Sequence, residues 1–239
     1  MHPLDGPRLK IERAAEHLQT LNNMIRSWQN TKPFLCTGHT HPNQSSYVYT
    51  VETQGIYLDT GVVIGDILHN LHSALDNIVW QLALLTTPRP FDKTAFPIYL
   101  KNTPRAMKGI NRVLQNVPND AREVIEWLQP YVVPKPTAHA LWALHELSDC
   151  DKHRTLTLIG ERLRYDMRAG MTLHRINYYT DEVTVPMLDK NLPPLPPKIS
   201  CDCLVIADKG GVKWRIDVVE AIHKFIRNTV FPEFVRFFP

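Results

Sequence analysis

One segment limits what this chain can become. From about Gly61 to Leu85, the residues Ile64, Leu68, Leu71, Leu75, Ile78 and Leu82 recur at the spacing of a single helix face, and Pro88 and Pro90 close the run. An apolar stripe of that length has to be covered. Other segments carry matching stripes. From Pro7 to about Gln29, Ile11, Ala14, Leu18, Leu21, Ile25 and Trp28 alternate steps of three and four, a narrow seam expected to pack within the chain. Shorter helices are predicted over Pro104 to Leu114, Asp120 to Leu128, and Thr137 to Asp151 with Leu141, Leu144 and Leu147 inward. A last helix, about Val218 to Phe231, places Val219, Ile222, Ile226 and Val230 on one side and stops before Pro232.

Beyond Arg154 the period changes to two. Leu156/Leu158, Leu173 with its neighbours, Val183/Val185, Cys201/Cys203/Val205 and Trp214/Ile216 read as short strands, and Pro193 to Pro197 as a stiff connection. The fold class is α+β: a mainly helical bundle over 1–154 with a short β hairpin near 34–57, then a β-rich region over 155–239 with a small antiparallel sheet and a C-terminal helix. The two are expected to pack as one unit. With 44% hydrophobic residues among 239 the chain can bury a proper core. No stretch offers a membrane span and no apolar leader opens the chain, so the cytoplasm is the expected location. Reduced thiols follow from that, and Cys201 and Cys203 share one face of a strand rather than half of a zinc site. A net charge of +3 is too mild to mark a nucleic-acid binder by whole-protein electrostatics, which leaves a local basic groove open.

The face of the Gly61–Leu85 helix opposite its leucines bears Asp66, His69, His72, Ser73, Asp76, Asn77 and Trp80, with no Lys, Arg or Glu. A solvated helix face usually draws on those long side chains, so this one reads as a partly enclosed polar surface. The helix before Arg154 has a similar stripe of Trp142, His145, Glu146, Asp149 and His153. Two helices therefore carry His-x-x-x-Asp, as His72/Asp76 and His145/Asp149. At that spacing an aspartate can fix an imidazole's tautomer and adjust its proton affinity for acid or base work. Three readings follow: general acid–base catalysis, a divalent metal held by imidazole and carboxylate, or a satisfied structural network that caps loop backbone. The metal reading lacks HExxH and the Glu-x-x-His pairs of carboxylate bundles. Asp151-Lys152-His153-Arg154 suits a helix C-terminus, and equally a pocket for phosphate or carboxylate. His69, His72, Asp76, His145, Asp149 and His153 are the candidate catalytic residues, and Lys152 and Arg154 the candidate ligand-binding ones. His17, His139 and His223 read as surface or boundary histidines.

Leu68-His69-Asn70-Leu71, Ser73-Ala74-Leu75-Asp76 and Asp151 to Arg154 resemble an uncharacterised family of bacterial proteins with a helix L-H-N-L-R-S-A-L-D-H-L and a later D-K-H-R. Phe96-Pro97-Ile98 and Leu128-Gln129-Pro130-Tyr131 fit it as well. That helix in turn resembles the Arg-x4-6-His motif of the HEPN (higher-eukaryote-and-prokaryote nucleotide-binding) helical domains. The resemblance implies a helical bundle, metal-independent chemistry on the RNA backbone, and residues brought together at a homodimer interface. His72 stands where that motif has Arg, and Asn77, which cannot act as an acid or base, where it has His. The leading expectation is a HEPN-like protein that processes or binds nucleic acid in stress or defence, ribonuclease-like in chemistry, with RNA or another phosphate-bearing ligand as partner. The alternatives are a metal-dependent hydrolase or small-molecule enzyme on the same His/Asp cluster, and a non-catalytic assembly or ligand-binding module. No cofactor is named by the sequence.

Overall fold

A computed structural model describes residues 2–42, 46–53, 59–154, 156–166, 175–177, 182–186, 198–207 and 213–238. The chain forms α1 (Asp5–Asn30), β1 (Phe34–Thr40), β2 (Ser46–Thr53), α2 (Asp59–Leu84), α3 (Pro104–Val113), α4 (Asn119–Trp127) and α5 (Ala140–His153). It continues with β3 (Thr157–Asp166), β4 (Arg175–Asn177), β5 (Glu182–Pro186), β6 (Lys198–Ala207), β7 (Lys213–Arg215), α6 (Asp217–Phe225) and α7 (Phe231–Val235). This is a mixed helical and antiparallel sheet architecture. Leu173 and the Pro193–Pro197 run lie outside the described residues. No helix among the described residues is long and apolar enough to cross a membrane.

The predicted stripe of α2 is the centre of the core. Ile64, Leu68, Leu71, Leu75, Ile78 and Leu82 are all fully buried, as is Ile67 beside them. They share one cluster with Ile11, Leu21 and Trp28 of α1, Leu141, Leu144 and Leu147 of α5, and Val219, Ile222 and Ile226 of the C-terminal helix. The α1 seam is thus covered by this chain's own helices. Leu156, Leu158, Leu204 and Ile206 join the same cluster, so β3 and β6 rest on the bundle. Close approach makes this possible: a Cβ built on Gly61 would overlap the carbonyl oxygen of Leu156.

Three features differ from the sequence reading. The hairpin β1–β2 does not stand alone, because β2 pairs with β5 from the far end of the chain, giving a sheet of order β1-β2-β5-β4 beside a second sheet β3-β6-β7. Long-range strand pairing leaves no local sign in either partner. The last helix does not stop at Pro232. A π turn over Ile226–Val230 resets the hydrogen-bond ladder, so Pro232 falls in the first turn of α7, where its missing N–H is harmless. His223 is buried rather than at the surface, its Nε2 3.2 Å from the carbonyl oxygen of Ile11, tying the C-terminal helix to α1.

One buried amide ties down much of the connection between α2 and α3. Gln129 is fully buried. Its Nε2 donates to the carbonyl oxygens of Pro97 (2.8 Å) and Ile125 (3.0 Å), and its Oε1 accepts from the Tyr99 N–H (3.1 Å). The two segments Phe96-Pro97-Ile98 and Leu128-Gln129-Pro130-Tyr131 are therefore one interlocked unit. Gln129→Ala leaves buried backbone groups without partners as well as a void, and is expected to lower the unfolding free energy by about 2–4 kcal/mol in urea titrations. A change within error would show that water replaces the amide without loss.

Candidate functional site

α2 and α5 pack directly against each other, and their polar stripes come together at one side. His72 from α2 and His145 from α5 line the same groove, of about 850 Å³. The loop clamped by Gln129 forms its other wall, through Phe96, Tyr99 and Lys101, with Arg105 from α3 beyond it. Trp142 and Lys152 of α5 complete the lining. The first turn of α3 is held by Thr103, whose Oγ1 accepts from the Ala106 N–H at 3.2 Å, which places Arg105 at the groove.

His72 and Asp76 are a pair, with Nδ1 3.4 Å from Oδ2 and both side chains about one-third exposed or less. The other carboxylate oxygen of Asp76 accepts the Phe96 N–H at 2.9 Å. Asp76 thus holds the groove's loop wall and faces His72 at once, combining the capping role with the pairing role. The second predicted pair does not form. Asp149 lies one helical turn from both His145 and His153, and its ion pair within 4 Å is with His153, at 3.9 Å and some 70% exposed (72%/69%). His145 instead packs against Trp142, ring centroids 5.3 Å apart at 35°. Packing with the indole, not pairing with the carboxylate, sets its position.

Although His145 keeps exposed surface, burial lowers its pKa below the usual histidine value, and the nearby charge of His72 lowers it further, while Asp149 opposes the shift. Both imidazoles line the groove. His153 and Arg154 are exposed at the end of α5, and neither these two nor Asp149 lines the groove.

A second, smaller pocket of about 250 Å³ adjoins the groove, sharing His72 and Lys152 with it. His69, Ser73 and Asp76 of α2 meet Ser148 and Asp151 of α5 there. Sequence reasoning singled out neither Ser148 nor Asp151 as a site residue. The available signal was Gly65: a Cβ there would come within 2.6 Å of an Asp151 carboxylate oxygen, so a glycine in an otherwise strong helix marks where α5 comes close. Burial raises the pKa of Asp151, and Asp66 adds to the rise while His69 opposes it. Among the described residues no group of three or more His, Cys, Asp or Glu converges so as to hold a metal ion. No protein-family model, curated protein or solved structure matches the chain.

Burial likewise lowers the pKa values of His139 and His223. For all three histidines the folded value lies below the 6.5 of an unperturbed ring, so the unfolded chain binds more protons in the interval between. Stability is therefore expected to fall as the pH drops through about 6.5 and to level off once the folded rings have titrated. Urea unfolding at a series of pH values checks this. His145→Gln should flatten part of the slope, and an unaltered slope would mean that the ring is not desolvated.

Proposed function

We propose that the chain is a HEPN-like protein that holds an RNA phosphodiester in the groove between α2 and α5 and cleaves it without metal. The observation that carries this reading is the sign of the groove. Its lining carries the cations Lys101, Arg105 and Lys152 beside the imidazoles of His72 and His145, and no Asp or Glu is among the described residues that line it. Cations alone would bind many anions. Two imidazoles in the same groove supply what RNA cleavage needs, a base for the 2′-hydroxyl and an acid for the leaving oxygen.

The lowered pKa of His145 keeps its ring neutral near pH 7, which suits it to the role of base. His72, when protonated, has Asp76 as its counter-ion at 3.4 Å, which suits it to the role of acid. In the proposed step His145 takes the 2′-hydroxyl proton, the 2′-oxygen forms a bond to phosphorus, and the bond to the 5′-oxygen breaks as His72 protonates that oxygen. The products are a 2′,3′-cyclic phosphate and a free 5′-hydroxyl, with one proton moved onto His145 and one lost from His72. Lys101, Arg105 and Lys152 offset the charge that gathers on the phosphoryl oxygens. Trp142 and Tyr99 offer aromatic faces to adjoining bases. His72 and His145 thereby replace the Arg and His of the HEPN motif, drawing the second group from another helix because Asn77 cannot serve. The metal-dependent alternative has no three-ligand cluster among the described residues to support it.

Cleavage of an end-labelled single-stranded RNA, followed in the presence of a chelator, tests the reading. His72→Ala and His145→Ala are each expected to slow cleavage by about 10²–10⁴-fold with binding retained. Lys152→Ala is expected to weaken binding and to reduce its salt dependence. Undiminished cleavage by the His72→Ala/His145→Ala double variant would sink the proposal, and RNA binding with no turnover in the wild type would leave a binding module in its place.

A further inference from the structure

The smaller pocket is built differently from the groove. Asp76 uses one oxygen on the Phe96 N–H and the other on His72, so its acceptors are engaged. Asp151 is half-buried and, among the described residues, has no hydrogen bond or ion pair. The hydroxyl of Ser148, a residue only 7% exposed, is buried without a hydrogen-bond partner. Both residues line this one pocket, together with His69, His72 and Ser73 of α2. Two polar side chains without hydrogen-bond partners in one pocket describe a place for a ligand that carries N–H groups on its edge.

We propose that the pocket receives the base of a guanine nucleotide, with the Asp151 carboxylate accepting the two adjacent N–H donors of the guanine edge and the Ser148 hydroxyl bonding a neighbouring ring atom. The inference rests on the reading of the groove as a phosphodiester site and specifies what that site selects. Adjacency supplies the connection: His72 and Lys152 border both spaces, so a base in the pocket leaves its phosphate among the groove's cations. Guanine is the base whose edge presents two parallel N–H donors to a carboxylate. Adenine and cytosine each present an amino group beside a ring acceptor, which the same carboxylate repels. Burial of Asp151 strengthens the selection, because a carboxylate partly removed from water gains more from each donor.

Titration of the full chain with GMP, IMP and AMP, read by calorimetry with inorganic phosphate as the groove-only probe, tests the proposal. GMP is expected to bind at least about 10-fold more tightly than AMP. IMP, lacking one of the two donors, is expected to lie between them. Asp151→Asn should erase the preference. Gly65→Ala provides a second variant that retains the carboxylate: its methyl group would displace the Asp151 side-chain end, and the preference should weaken while the helix is kept. Equal affinities for GMP and AMP in the wild type would overturn the base pocket while leaving the groove intact. Persistence of the preference in both variants would overturn the role of Asp151. If neither phosphate nor any nucleotide binds, the groove reading fails and the base pocket with it.

Discussion

Burial of one face of α2 fixes the rest of the molecule. Seven leucine and isoleucine side chains from Ile64 to Leu82 are fully enclosed on it. At about 1.5–3 kcal/mol for each buried side chain of this kind, the face contributes on the order of 10–20 kcal/mol before chain entropy is counted. That magnitude sets the rotation of the helix about its axis. A turn of one residue would carry Ser73 or Asp76 toward the core and lift Leu68 or Leu75 out. With the rotation settled, His69, His72, Ser73 and Asp76 have only one side available, the side that α5 borders. The geometry of the polar site is a consequence of the apolar one.

The loop wall depends on a second tier of interactions that are polar and few. Asp76 holds Phe96, and Gln129 holds Pro97 and Tyr99, so three residues of an otherwise irregular segment are tied down. A loop held this way can present Lys101 at a defined place with little ordering left to do when a ligand arrives. The same bonds explain why one residue answers to two readings. Asp76 is structural toward the loop and electrostatic toward His72, and a carboxylate has two oxygens with which to be both.

Much of this was legible in the sequence where the signal is local. The α2 stripe, the α1 seam and the start of α3 at Pro104 all follow from periodicity and capping, and the structure places them as read. The enclosed character of the α2 polar face was legible too, from the absence of long charged side chains: His72, Ser73, Asp76 and Asn77 are half-buried, although Asp66, His69 and Trp80 are exposed. What could not be read depends on partners distant in the chain. Asp149 stands at the same spacing from His145 and His153, and in the structure it pairs with His153 while His145 packs against Trp142. Pairing of β2 with β5 has no local determinant. Ser148 looks ordinary in sequence, and Asp151 reads there only as part of the run to Arg154; their place in the smaller pocket arises from what α2 brings opposite them.

Under the proposed reading, the division of charge between the two adjoining spaces fits one composite ligand rather than two unrelated ones. Carboxylates at the groove wall would repel a phosphodiester, and the described lining has none. Asp76 and Asp151 both belong to the smaller pocket. Asp76 is turned toward a backbone N–H and an imidazole, so its charge is met before it reaches the groove. Asp151 and Lys152 are neighbours in sequence but differ by about 100° around α5, which lets the acid sit beneath α2 against Gly65 while the cation reaches both spaces. An anionic group bonded to a neutral ring rich in N–H donors matches that pattern in each part, and a simple anion matches only half of it.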